Sequence, residues 1–242
     1  MDKDPNYYDG RDLEALASLR RYQNWIVEHF QPYLKGEVVE YGAGVGNISV
    51  LLAQHAESLQ FVEPSPNLFE QLGKRFAHES RVSIHMAGLE EHAASLPDAS
   101  IDGFVLVNVL EHIEDDASAL AQMSRALKPG GHLMLFVPAL EFLMSPMDHR
   151  LQHKRRYHRR PLCDRVEKTG LKVLNSRYMD LLGVAAWWLF HVVGKRTEFN
   201  PDMAMLYDRL FVPLTRGIER LIRPQIGKSL VLIARKPDSP KP

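Results

Sequence analysis

EVVEYGAGVGNISVLLAQHA, residues 37 to 56, opens as a short apolar run, passes three glycines at alternate positions and ends with apolar residues at helical spacing. A strand, a tight turn and a helix in that order begin an α/β unit. Gly42, Gly44 and Gly46 let the backbone approach a ligand, because no Cβ stands in the way. The helix behind them offers unpaired N–H groups. The spacing is G-x-G-x-G, not the G-x-G-x-x-G of dinucleotide-binding turns, and a glycine-rich turn alone is often only a turn. Glu40 adds weight to the ligand-binding alternative. A carboxylate in a buried strand is costly without a partner, and a cationic ligand group would be one.

Outward from this turn the chain keeps alternating. Before it, Leu13, Leu16, Leu19, Ile26 and Phe30 recur at helical spacing over residues 11 to 31, with Pro32 and Gly36 as stop signals. After it come a strand in LQFVEPSP, a helix in PNLFEQLGKRFA and a strand in RVSIHMAG. SIDGFVLVNVLEHI holds a near-continuous apolar run, the mark of a strand buried on both faces. The helix DASALAQMSRAL ends at KPGG, and HLMLFVPA is a fifth strand. A helix at 162 to 169, the strand LKVLNSRY, a long helical region at about 180 to 222 and the strand SLVLIARKP complete the pattern. This predicts a doubly wound α/β sheet. Residues 36 to 242 form its domain, with about 180 to 222 as an inserted helical cap. Residues 1 to 35, with NYYDG, Tyr22, Asn24 and Trp25, form an N-terminal helical lid.

The composition excludes little else. Lys+Arg and Asp+Glu both number 30, so no global field draws the chain to nucleic acid or membrane. One cysteine, Cys163, allows no internal disulfide and no Cys-built zinc site, and points to a reducing cytoplasm. MDKDPNYYDG lacks the apolar core of a secretory signal. The longest apolar run, Leu181 to Gly194, is too short to span a bilayer. Its Trp187 and Trp188 read as cap core in preference to an interfacial anchor.

Two further places bear on function. Glu63 ends the second strand, where a carboxylate can accept both hydroxyls of a ribose; Pro64 fixes the loop behind it. The alternative is that Glu63 caps the next helix. HRLQHKRRYHRR, residues 149 to 160, holds six Lys or Arg and three His with no acidic residue. It follows the fifth strand, at the edge where open α/β sheets bind ligands. It is a substrate-recognition loop with His153 as proton acceptor, or a solvated loop whose arginine anchors the cap through a buried pair. Nucleic-acid contact is disfavoured, since a real footprint spreads over a whole face. His112, just past the fourth strand, either contacts substrate or packs locally. No H-E-x-x-H or other metal-ligand spacing and no G-x-S-x-G occurs, so neither a metal site nor a hydrolase elbow is expected.

Taken together, these segments resemble the class I S-adenosylmethionine-dependent methyltransferases. VVEYGAGVGNIS looks like their first motif and FVEPSPNL like their second. MAGLEEHAASLPDASIDGFVLVNVLEHIEDD resembles the stretch that frames adenine and forms the fourth strand, and RALKPGGHLMLFVPA the fifth-strand motif. The resemblance runs from about residue 36 to 140. It implies a seven-stranded sheet with its last strand, SLVLIARKP, antiparallel, and S-adenosylmethionine as cofactor. Glu40 and the backbone of Gly42, Gly44 and Gly46 would hold the methionine part, Glu63 with Pro64 the ribose, Gly88 and Leu89 the adenine, and Asn108 would lie beside the sulfonium. Many members carry Asp or Asn where this chain has Ala87-Gly88-Leu89, which leaves the adenine amine to backbone or to Glu90.

SPMDHRLQHKRRYHRRPL is similar to an S-x-x-D-x(4)-H-x-R-R-Y signature of a bacterial subgroup that includes a lysine methyltransferase of elongation factor Tu. That likeness implies His153 and Tyr157 at the transfer site, with His112, Asp148, Arg155 and Arg156 toward the substrate. A basic, aromatic loop suits an acidic protein surface such as a translation factor. Two alternatives stay open. One is an O- or N-methyltransferase of a saccharide, lipid or other small molecule, its Trp-rich cap covering an apolar acceptor. The other is a cofactor-binding interaction module without turnover. A membrane surface is a less favoured partner.

Overall fold

The computed structural model describes residues 19–198 and 200–238. The expected helix over 11 to 31 is seen as α1, Arg20–Phe30; residues 1 to 18, with NYYDG, Leu13 and Leu16, lie outside the described residues. The main domain alternates β1 (Glu37–Tyr41), α2 (Ser49–Leu52), β2 (Ser58–Val62), α3 (Pro66–Arg75) and β3 (Val82–His85). It continues through α4 (Leu89–Ser95), β4 (Ile101–Val107), α5 (Asp116–Ala126), β5 (Leu127–Pro138), α6 (Pro146–Arg150), α7 (Arg159–Glu167) and β6 (Lys172–Met179). Between β6 and β7 (Ser229–Arg235) stand α8 (Leu181–Trp187), α9 (Pro201–Leu206) and α10 (Val212–Leu221), with π-helical turns over Trp188–Val193 and Tyr207–Phe211.

Among the described residues the seven strands form one sheet, ordered β3-β2-β1-β4-β5-β7-β6. β1 to β5 pair in parallel, and β7 runs antiparallel between β5 and β6, with Phe136 opposite Val231. The order reverses at β1, and this switch point opens a crevice at the carboxyl ends of the strands. Apolar layers cover both faces. Tyr41, Phe104 and Leu135 belong to one, and Val38, Phe61 and Phe136 to the other. β4 is apolar without alternation because both of its sides meet these layers.

Some local features depart from the expectations. KPGG does not end the helix before a short fifth strand: it lies inside β5, where Gly130 takes φ 83° and the register with β4 shifts. α4 and α6 fall in stretches the periodicity leaves as loops, because each is under two or three turns long. α1 is not a loose cover where it is described. Tyr22, Trp25, Ile26, Val27 and Phe30 are buried, Tyr22 meets Phe136 edge-on, and the Tyr22 N–H donates to Asp208 Oδ1 at 2.9 Å. Tyr22 and Trp25 therefore serve the core.

The cap is helical, as expected, and is pinned from below. Asp180 (φ 69°) accepts from Gly183 N–H at 3.1 Å and pairs with Lys228 Nζ at 3.0 Å. No helix of the described residues is long and apolar enough to cross a membrane.

Candidate active site

The predicted cofactor residues converge on the carboxyl ends of β1 to β4. Gly42, Gly44 and Gly46 have φ of 66°, 57° and 83°, the left-handed region that favours glycine. A Cβ on Gly42 would stand 2.5 Å from Val109 Cγ2, so the turn admits no larger residue without moving the segment after β4. Glu63 joins the turn to the second strand. Its Oε2 accepts from Gly44 N–H at 2.8 Å and its Oε1 from Ser65 N–H at 2.9 Å. Ser65 is the N-cap of α3, so Glu63 does support that helix start, while each carboxylate oxygen keeps further acceptor capacity. Both roles weighed from sequence are thus compatible.

Glu40 is 2% exposed, and its Oε2 has no hydrogen-bond partner. Burial, opposed by the nearby Ser49 hydroxyl and reinforced by the charge of Glu63, pushes its pKa up to about 8. An orphaned carboxylate beside a glycine turn fits the cationic amino group of a methionine moiety. Past β3, Gly88 is the extended N-cap residue of α4 and Leu89 is its buried first residue. Asn108 directly follows β4 with φ 53°, a conformation Asn tolerates, and is exposed to the crevice.

A second array lies beyond β4 and β5. Ser145 and Asp148 form a capping box: Asp148 Oδ2 accepts from Ser145 N–H at 3.0 Å and from its hydroxyl at 2.7 Å. Asp148 is fully buried, and its Oδ1 accepts from His153 Nδ1 at 2.9 Å and Arg156 Nε at 2.9 Å. Burial works to raise the Asp148 pKa, but the His153, Arg156 and Ser145 contacts outweigh it and hold the carboxyl below its ordinary range. With Nδ1–H donated to Asp148, His153 turns Nε2 toward Glu111, 3.8 Å from Oε1. His112 stacks edge-on against His153 with ring centroids 4.9 Å apart; burial, with the His153 ring alongside, lowers its pKa to about 4.

Glu111 is the residue that sequence reasoning passed over. It is fully buried, and neither carboxylate oxygen has a hydrogen-bond partner. Burial raises its pKa to about 8, against the opposing pull of its own backbone and of Arg156. The signal was available: an acid placed just after a buried strand, in LEHIEDD, has to be satisfied by something.

Other expectations change. Tyr157 does not face the crevice. Its hydroxyl lies 2.9 Å from Asp116 Oδ2 and 3.1 Å from the Leu110 carbonyl, and burial together with the Asp116 charge raises its pKa. It positions the segment and does not accept a proton. Arg156 is also buried, donating to Ala139 O at 3.1 Å and lying over the Trp187 ring at 4.8 Å. Arg155 reaches Asp116 Oδ2 at 3.0 Å and the Glu114 carbonyl at 2.9 Å. These arginines and Asp148 build the loop from within and do not present themselves to a substrate, which is the buried-pair alternative for the basic stretch. Among the described residues, Glu111, His112 and His153 could hold a metal, their ligand atoms lying within 4.8 Å of one another. No local spacing could reveal that group, because its members come from two segments.

Comparison with known proteins agrees with this arrangement. Residues 39–135 match the methyltransferase domain family. A Mycolicibacterium smegmatis protein described as a probable S-adenosylmethionine-dependent methyltransferase is 29% identical over 160 residues, covering 65% of this chain and 56% of that one. The chain spans about half the length of the curated relatives it matches (46%, 56% and 41%). A methyltransferase chain in the complex with the Haloferax volcanii Trm112 methyltransferase activator superposes with a TM-score of 0.66 at 16% identity, over 95% of each chain. Haemonchus contortus phosphoethanolamine N-methyltransferase 2, solved with S-adenosyl-L-methionine, superposes with a TM-score of 0.61 at 18% identity, over 94% of this chain and 57% of that one. At such identities the superpositions show the fold. Residues 39–135 thus match a methyltransferase domain, on a sheet with the Rossmann-like fold of those solved structures.

Proposed function

We propose that the protein is a methyltransferase that transfers the methyl group of S-adenosylmethionine to an amine nitrogen. The observation that carries this is Glu111: a fully buried carboxylate with both oxygens unpartnered, facing His153 Nε2 across 3.8 Å. Such a group is stabilised by a cation. An incoming ammonium supplies one, and a hydroxyl does not.

Glu40 and the turn at Gly42, Gly44 and Gly46 would hold the methionine part of the cofactor, Glu63 with Pro64 behind it the ribose, Gly88 and Leu89 the adenine, and Asn108 the region of the sulfonium. The bound cofactor supplies an electrophilic methyl group. The residues beyond β4 and β5 then receive the acceptor. Glu111 ionises against the ammonium and orients it. Asp148 fixes His153 in the tautomer whose Nε2 is a proton acceptor, and Arg156 keeps Asp148 in place. His153 takes the ammonium proton, which frees the nitrogen lone pair for in-line attack. His112, held neutral, adds no competing charge.

The amine is a lysine side chain of a protein such as a translation factor. The signature over Ser145, Asp148, His153, Arg155, Arg156 and Tyr157 supports this, with the outward Arg160 available to an acidic surface. An amine-bearing small molecule or lipid is the second reading. It is favoured by an apolar hollow of about 360 Å³ between the cap and the segment after β5, lined by Phe142, Leu181, Val184, Ala185, Trp188 and Ile226. Incubation with radiolabelled S-adenosylmethionine and a cell lysate, followed by fractionation, separates the two. Label in a protein band that survives base treatment and yields methyl-lysine supports the first; label in the small-molecule or lipid fraction supports the second. Label recovered only as O-methyl ester or ether refutes the amine assignment. Cofactor binding without any transfer would leave the interaction module.

A further inference from the structure

We propose that the cap is a docking surface for an anionic lipid bilayer, an inference independent of the acceptor's identity. Of the fifteen exposed large apolar side chains among the described residues, twelve fall between 188 and 226. A soluble surface rarely gathers them so.

Their spacing shows why they are outside. On the helical run from Pro201 to Leu221, the residues turned into the protein are Asp208, Val212, Thr215 and Glu219. Met203, Leu206, Leu210, Leu214 and Leu221 recur with the same helical period but about 180° away, on the side that faces solvent. The helix is therefore apolar on the face where a helix of a globular domain is normally polar. The preceding helix repeats the pattern, with Trp188, Leu189 and Val193 exposed along one side. Trp187 and Trp188 divide the labour. Trp187 Nε1 donates to Leu143 O at 3.0 Å and the ring carries Arg156, whereas Trp188 is 47% exposed. The expectation that both belong to the cap core holds for Trp187 alone.

Charge selects the occupant. Between 181 and 226 the outward basic residues are Lys195, Arg196, Arg209, Arg220 and Arg223. The outward acids are Glu198 and Asp202, because Asp208 and Glu219 are buried against α1 and β6 partners. In a chain of zero net charge this is a local positive rim around an apolar face. An anionic bilayer complements both parts, with arginine stems lying along the acyl boundary and Trp188 at headgroup depth. A second copy of the chain complements only the apolar part, since a two-fold contact would set the basic rim against itself. The same face borders the hollow formed with Phe142, through Trp188 and Ile226.

The test is sedimentation of the full-length protein with vesicles of phosphatidylcholine alone and with about one-third phosphatidylglycerol added. Binding is expected for the mixed vesicles, weakening with salt. Leu210 and Leu214 are each 55% exposed, so Leu210→Asp with Leu214→Asp leaves the fold and cofactor binding intact while partitioning falls roughly tenfold or more. Arg209→Glu with Arg220→Glu lowers binding by about fivefold per residue. Equal binding to both vesicle types, or none, overturns the proposal. A dimer in solution that the leucine pair dissolves, without vesicle binding, assigns the face to a second copy instead.

Discussion

Cofactor affinity should rise with pH because of Glu40. Its carboxyl is 2% exposed, has one orphaned oxygen and ionises at about 8 in the ligand-free protein. The cofactor's ammonium needs the ionised form. A group of pKa about 8 is ionised in roughly 1% of molecules at pH 6, about 10% at pH 7 and about half at pH 8. Apparent affinity should therefore climb about tenfold from pH 6 to 7, then flatten near pH 8, where the cofactor's own α-amino group begins to lose its proton. Binding at pH 6 to 7 should release close to one proton. The stability sign agrees: a raised carboxyl pKa favours the fold while Glu40 is neutral, and that contribution is lost as pH rises from the ordinary carboxyl range through about 8. For this group the loss is about 1.4 kcal/mol per pH unit, and bound cofactor opposes it. Titration calorimetry in buffers of different ionisation enthalpy measures both affinity and proton release. Glu40→Gln should weaken binding at pH 8 and remove the slope. A wild-type affinity flat between pH 6 and 7.5, or an unchanged slope in Glu40→Gln, refutes the reasoning.

The remaining expectations concern the acceptor array and the cap. Glu63→Ala should abolish cofactor binding, measured by calorimetry, since it removes the proposed ribose acceptor and the tie to Gly44 together. His153→Ala should leave cofactor affinity unchanged and slow transfer by about 10²- to 10⁴-fold, with Asp148→Asn following it in part; normal turnover would exclude the proton-acceptor role. Glu111→Gln should raise KM for an amine acceptor more than it lowers kcat, and should be neutral for cofactor binding. Asp180→Ala leaves the half-buried Lys228 without its carboxylate, so thermal or urea unfolding should show a loss of about 3 kcal/mol, the low end for a buried pair.

Much of the domain was legible because its physics is local. The strand–turn–helix alternation, the apolar run of β4 and the position of Glu63 at a strand end each show within a dozen residues. KPGG misled because a glycine pair reads as a stop, whereas here it is a bulge inside a strand whose pairing partner comes from another segment. The short helix α6 had a usable signal, Ser145-Pro146-x-Asp148, a capping box with proline at its first position. The basic stretch misled more deeply. Charge counting made HRLQHKRRYHRR a surface that reaches outward, yet Arg156 is buried and Tyr157 and Arg155 bind inward to Asp116.

What the sequence determined by itself was the order of elements, the sheet class, the glycine turn and the carboxylates at the ends of β1 and β2, because each depends on neighbours along the chain. Tertiary structure alone decided which polar residues are left without partners. Asp148 is committed to Arg156, His153 and Ser145, while the Glu111 carboxylate and one oxygen of Glu40 accept no hydrogen bond. It also decided which of two adjacent tryptophans is core. Satisfaction and exposure are properties of packing between distant segments, and for that reason no spacing rule could have read them.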